Sequence, residues 1–259
     1  MQNNERIKNL YKGFEFFIGR FLLYYDLVSF ETFYRHMHDF FDLGEGKICI
    51  GLPESTDRVR YFASINSHGF KVFPALKFPI GWIGCGMTYK FLARKALDES
   101  RTDLIICEDD VEFLPDFAER FAIAEEYFKQ CDADALSGFI VDLHPEAVIS
   151  KIDNYKGVEF ITVDKMTSTV FGHYSRRFLK AISLWDESND KQSDNTIDRY
   201  LENHMDLKIT FANPFLVGHN EELFSTLWSC KNDRYNPMLE KSLCRIKEKK
   251  SEYISYRNK

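Results

Sequence analysis

The chain has 259 residues, enough for one substantial core, and 44% of them are hydrophobic and 15% aromatic, with 24 Phe and 13 Tyr, which excludes a disordered polymer. A formal net charge of −6 excludes a general nucleic-acid binder, which needs a basic surface to displace counterions from phosphates. Six cysteines without a C-x-x-C pair point to buried thiols in a reducing cytosol rather than to a disulfide framework.

Ile7, Leu10, Tyr11, Phe14, Phe17, Ile18, Phe21, Leu22 and Tyr25 recur at three- and four-residue intervals and predict an amphipathic helix, with a second helix over Phe30 to Phe41. Glu15, Arg20 and Asp26 interrupt the apolar run, so it reads neither as a signal peptide nor as a membrane span. After Gly44-Glu45-Gly46, residues Lys47 to Leu52 read as a short buried strand. Then come a helix from Thr56 to Ser67, a strand Lys71 to Ala75, a helix from Trp82 to Glu99 and a strand Asp103 to Cys107. Pro115 opens a helix to Gln130, and Ala135 to Val141, Glu159 to Val163, Thr167 to His173 and Leu207 to Phe211 read as further strands. Between the last two, helices start after Ser175 and after Ser193 or Asp194.

Strands alternating with helices imply an α/β fold with a parallel or mixed sheet covered on both faces. The organisation expected is a helical extension over 1–45, a catalytic domain over 46–230 and a basic tail over 231–259. That tail carries Lys241, Arg245, Lys247, Lys249, Lys250, Arg257 and Lys259. It reads as a solvated helix; the alternative is contact with an anionic leaflet, for which the amphipathic N-terminal helix is a second candidate.

Ligands in open α/β sheets sit beyond the carboxyl ends of the strands, where Glu108-Asp109-Asp110 follows the apolar run Leu104 to Cys107. Three adjacent carboxylates are costly unless a cation neutralises them, and hard ions such as Mn²⁺ or Mg²⁺ prefer carboxylate and phosphate oxygens. In an extended chain Glu108 and Asp110 point to one side and can share an ion, leaving Asp109 for a ribose hydroxyl or a structural bond. The bland alternative is an acidic turn capping the helix that begins near Pro115.

Around these residues the sequence resembles glycosyltransferase family 25, the lipooligosaccharide-biosynthesis and collagen galactosyltransferase group. Gly51-Leu52 with Arg58, Gly81-Trp82-Ile83-Gly84-Cys85-Gly86-Met87-Thr88-Tyr89, and Ile105-Ile106-Cys107-Glu108-Asp109-Asp110-Val111 follow the family's order at similar separations. Gly51 stands where the family has Asn, Trp82 where it has Glu, and Thr88-Tyr89 where it has Ser-His. The resemblance covers residues 47 to 226 and implies a GT-A fold, a Rossmann-like mixed sheet. It also implies a UDP-sugar donor, often UDP-galactose, and a glycan hydroxyl as acceptor, as in a cell-surface lipooligosaccharide or polysaccharide.

On that reading Leu52 and Ala75, at the ends of the first two strands, bound the nucleotide together with Glu108 and Asp109. Arg58 pairs with a phosphate or stacks on the uracil, unless it is a surface helix arginine. Pro214-Phe215-Leu216-Val217-Gly218-His219 resembles the family's closing Pro-x-Leu-x-Gln segment, and His219 in place of the Gln is either a third metal ligand with Glu108 and Asp110 or a loop histidine. Gly138, Phe139 and Asp142, at another strand end, are candidate lining residues for the donor sugar. Transfer with inversion needs a carboxylate to deprotonate the acceptor, and Asp194 and Asp198, read as one turn apart on one helix, are the candidates; otherwise Asp194 caps that helix and Asp198 pairs locally. A metal-dependent phosphoryl or nucleotidyl transferase, or a degenerate non-catalytic domain of the same fold that binds a glycan or a partner, is the alternative. The oligomeric state is open.

Overall fold

The computed structural model describes residues 2–204, 206–227 and 230–257. Two helices come first, α1 (Gln2–Tyr24) and α2 (Phe30–Met37), the second capped by Ser29, whose hydroxyl accepts from the Thr32 amide. β1 (Lys47–Gly51), α3 (Thr56–Ile65), β2 (Lys71–Pro74), α4 (Gly81–Asp98) and β3 (Asp103–Glu108) follow as two strand-helix-strand units, with β1 parallel to both β2 and β3. Next are β4 (Val111–Phe113), α5 (Phe117–Gln130), β5 (Ala135–Ser137), the hairpin β6 (Ile149–Tyr155) and β7 (Val158–Val163), β8 (Phe171–Ser175) and α6 (Arg176–Ser183). The chain ends with α7 (Gln192–Asn195), α8 (Ile197–His204), β9 (Ile209–Asn213), β10 (Val217–His219), β11 (Phe224–Ser225), β12 (Cys230–Lys231), a 3₁₀ turn over Asn232–Tyr235 and α9 (Asn236–Arg257).

Eight strands form one mixed sheet in the order β2-β1-β3-β8-β5-β9-β7-β6, flanked by helices. β8 runs antiparallel to both of its neighbours, so β1, β2, β3, β5 and β9 present their carboxyl ends at one edge of the sheet. The strands with continuous apolar runs, β1, β3 and β9, are the buried central ones, as expected for strands covered on both faces. Among the described residues no helix is long and apolar enough to cross a membrane.

Three expectations change. The strand expected over Ala135 to Val141 stops at Ser137: the Gly138 amide still bonds the Phe171 carbonyl of β8, but its own carbonyl accepts from Leu216. The strand expected over Thr167 to His173 begins only at Phe171, leaving 167–170 as a loop over that edge. The basic C-terminal segment is not a solvated tail: Ser242 is fully buried in α9, where its hydroxyl accepts from the Leu143 amide (2.9 Å) and donates to the Ile140 carbonyl (3.2 Å). Arg245 pairs with Asp142 and Lys250 with Glu159, so two of the tail's cations are used inside the molecule.

Candidate functional site

The carboxyl edge of the sheet opens into a cleft of about 650 Å³. The expected residues Leu52, Arg58, Ala75, Glu108, Asp109, Asp110, Asp198 and His219 all line it. β3 delivers the acidic triplet, but the strand ends at Glu108 and residues 109 and 110 form a turn. The alternation expected of an extended chain therefore fails. Glu108 points alone, its Oε1 accepting from the Thr169 hydroxyl (2.6 Å), while Asp109 and Asp110 both turn toward Arg58.

Arg58, in the first turn of α3, is 7% exposed. Its Nε donates to Asp109 Oδ1 (2.7 Å), its Nη2 also meets Asp109, and its Nη1 lies 3.1 Å from Asp110 Oδ2. Burial alone would lower this guanidinium, but the charges of Asp110 and Asp109 outweigh it and hold it above its ordinary value. Asp109 is raised, because burial outweighs the attraction of Arg58. Glu108 is pushed up to about 7 by burial first and then by the charge of Asp110. Asp109 and Asp110 thus share one guanidinium, and Glu108, buried beside them without a cation partner, carries the repulsion.

The departure at Gly51 has a steric cause. A Cβ at that position would lie 2.5 Å from Asp109 Oδ2, so the Asp109 side chain occupies the space that any side chain at 51 would need. Thr88, standing where the family has Ser, keeps a hydroxyl bridge: it accepts from the Leu76 amide and donates to the Gly84 carbonyl, both at 2.8 Å, tying α4 to the loop beside Ala75.

Asn232 and Thr169 are functional candidates that the sequence reading missed. Asn232 is 1% exposed; its amide nitrogen donates to Asp110 Oδ2 (2.8 Å) and to the Asn220 carbonyl (2.9 Å). After these bonds Asp109 Oδ2, Asp110 Oδ1 and Asn232 Oδ1 remain buried without a hydrogen-bond partner. All three are acceptors, a donor set suited to a hard cation or to ligand hydroxyls. Arg234, also in the cleft wall, is exposed and has no ion pair among the described residues, unlike Arg58 and Arg199.

The expected metal set does not assemble. Among the described residues no three His, Cys, Asp or Glu side chains form a group that could hold a metal. Asp110 is drawn to Arg58 and Asn232, Glu108 to Thr169, and His219 donates from Nε2 to the Asn232 carbonyl (3.2 Å), packed between Phe139 and Tyr235. What remains is a smaller oxygen set around Asp110, with His219 supporting the Asn232 backbone.

The two candidate bases separate. Residues 192–195 and 197–204 are distinct helices broken at Thr196, whose ψ of 151° is extended, so Asp194 and Asp198 do not share a helical face. Asp194 is exposed, accepts from its neighbour Ser193 and lies outside the cleft lining. Asp198 lines the cleft, and its Oδ1 accepts from the Thr196 hydroxyl (2.6 Å) and the Arg199 amide (3.0 Å). Burial, then the charges of Glu108 and Asp198, pushes the Cys85 thiol up, which places Cys85 in the field of both carboxylates. Gly138 is not a lining residue: its amide donates to the Phe171 carbonyl, and a Cβ there would stand 2.7 Å from the Phe171 ring. Phe139 reaches the cleft in its place.

No protein-family model matches the chain, and a comparison with curated proteins finds no match.

Proposed function

We propose that this cleft binds a nucleotide diphosphate-sugar and that the chain is a metal-dependent glycosyltransferase of GT-A type, moving a sugar, galactose favoured, to a glycan hydroxyl with inversion. The observation that carries the reading is the trio of buried, unpartnered oxygens on Asp109, Asp110 and Asn232, placed at the carboxyl edge of a mixed α/β sheet. Hard cations that bind through one or two carboxylates complete their shells with substrate phosphates, so an incomplete protein set is the one a diphosphate would finish.

In this reading Asp110, with the Asn232 amide oxygen, holds Mn²⁺ or Mg²⁺. The ion, when bound, supplies positive charge to the departing diphosphate. Arg234, which lines the cleft and has no ion pair among the described residues, adds a second positive group for the diphosphate. Leu52 and Ala75 bound the base, and Arg58 keeps Asp109 and Asp110 in place rather than gripping a phosphate itself. Asp198 takes the proton of the acceptor hydroxyl as its oxygen bonds to the sugar's anomeric carbon and the bond to the diphosphate breaks.

Arg58 favours a second reading, since it neutralises two of three carboxylates without any ion. A cation-independent nucleotide- or glycan-binding domain would be built that way. Titrating Mn²⁺ and UDP separately and together, with thermal shift as the readout, decides between them. The transferase reading expects a rise in Tm with UDP that grows when Mn²⁺ is present, whereas UDP stabilisation indifferent to Mn²⁺ selects the second, and no shift with either sinks the nucleotide site. A donor-hydrolysis screen across UDP-sugars then names the sugar.

A further inference from the structure

One surface shares no residue with the cleft lining and is independent of what the cleft binds. On α1, Phe16, Gly19, Arg20 and Leu23 face inward: Phe16 stacks on Phe40 at 4.0 Å between ring centroids, and Arg20, 4% exposed, pairs with Glu54. On the opposite side Tyr11 (65%), Phe14 (65%), Ile18 (44%), Phe21 (59%) and Tyr25 (56%) stand exposed, with Phe17 (48%) beside them. The helix buries one apolar stripe and presents a second one to water. At 100° per residue the two stripes lie on opposite faces, so the fold of a single chain cannot cover both.

The spacing of the exposed stripe identifies what covers it. Positions 11, 14, 18, 21 and 25 alternate steps of three and four, the narrow seam of two packed helices, rather than the broad apolar face of a helix lying on a globular core. At about 150–250 Å² for an aromatic side chain, the six residues expose on the order of 600 Å². That is at the upper end of the ~300–600 Å² of the largest apolar patch on a monomer, the size at which such patches are often functional, and approaches the ~800 Å² per partner of a standard interface. The charges beside the stripe argue against an anionic membrane. Arg20 is buried and paired, Glu15 and Asp26 are exposed, and Lys12 is the one cation of the segment from 11 to 27 left without an ion pair among the described residues.

We infer that α1 is a self-association surface: two copies of the chain pack their α1 helices antiparallel about a two-fold axis passing near Ile18. Tyr11 then meets Tyr25 of the other copy, Phe14 meets Phe21, and Ile18 meets its own equivalent, the self-complementary pattern of a two-fold interface.

Sedimentation velocity of the full chain over 1–50 μM tests this. A species of twice the 30.5 kDa chain mass is expected, and the double variant Phe14→Lys/Phe21→Lys is expected to sediment as a monomer with unchanged far-UV circular dichroism and Tm. In a Cys244→Ser background, Ile18→Cys cross-links to its own equivalent with a short bis-maleimide, whereas Tyr11→Cys, about 20 Å from its equivalent along the pair, does not. A monomer at 50 μM overturns the inference, as does a dimer that survives the double lysine substitution while the variant stays folded. Efficient Tyr11→Cys self-cross-linking overturns the antiparallel arrangement. A monomer that floats with phosphatidylcholine–phosphatidylglycerol vesicles, and stops doing so in the double variant, assigns the stripe to a membrane instead.

Discussion

The two edges of the sheet carry carboxylates under opposite conditions. At the amino edge of β3 and β5, Asp103 accepts from His173 (3.0 Å) and from the Thr102 hydroxyl, and Asp134 takes the Arg177 guanidinium on both oxygens and the Lys208 amide on one. Every carboxylate oxygen there has a partner. At the carboxyl edge Asp109 and Asp110 share Arg58 while Glu108 has only the Thr169 hydroxyl, and one buried oxygen on each aspartate has no partner. Satisfied groups hold a structure together, while unsatisfied buried ones store a demand that a ligand can meet. The first edge is satisfied within the chain; the second, on the proposed function, is completed by a ligand.

The largest contrast comes from removing one carboxylate at each edge. Asp110→Asn is expected to lower UDP-sugar turnover by more than about 100-fold, while urea unfolding shows equal or greater stability because one of three crowded charges is gone. Asp134→Ala is expected to do the reverse, costing about 2–3 kcal/mol in urea unfolding by stranding the Lys208 amide and the Arg177 contacts, with turnover of the folded fraction within about twofold of the parent. Large losses of both properties in either variant would erase the distinction.

A smaller effect is expected at Gly51. The methyl of Gly51→Ala collides with Asp109 Oδ2 and pushes that carboxylate off Arg58, which calorimetry should read as about a 10-fold weaker binding of UDP with Mn²⁺. Unchanged affinity would mean that the position of Asp109 is immaterial.

The smallest effects are in pH dependence, where the two edges have opposite signs. Asp103 sits at about 2, held down by the His173 hydrogen bond; a folded value below the ordinary 3.8 means stability present above about pH 4 and lost as pH falls through about 2. Glu108 sits at about 7 against an ordinary 4.5, so its contribution is complete below about pH 4.5 and lost as pH rises through about 7. In chelator-containing buffer, Asp103→Asn should flatten the acid limb of the stability profile and Glu108→Gln the neutral-to-alkaline limb. Identical limbs in parent and variants would refute both assignments.

What could be read locally was read well. β1, β3 and β9 are runs of apolar residues whose strand character needs no partner to be recognised, and the helices over 56–65 and 81–98 follow their periodicity to within two residues. β6 escaped notice because an edge strand such as Ile149–Tyr155 buries little, so its residues lack apolar alternation. The break at Thr196 escaped for a related reason: Asp194 and Asp198 have helical spacing, but Asn195 is pulled inward, its side chain donating to the carbonyls of Asp186 and Asn189 and its own carbonyl accepting from Trp185.

The amino-acid sequence by itself determined the alternating α/β order, the acidic triplet at the end of a buried strand and the apolar periodicity of α1, because each is written locally; that Phe16 and Leu23 are buried and the stripe from Tyr11 to Tyr25 is exposed was decided by packing. The tertiary structure alone decided which oxygens of the triplet remain unsatisfied. That outcome depends on Arg58, 51 residues from Asp109, on Asn232, 122 residues from Asp110, and on Thr169, 61 residues from Glu108. A hydrogen bond carries no trace in sequence spacing when its partners meet only through the packing of the sheet.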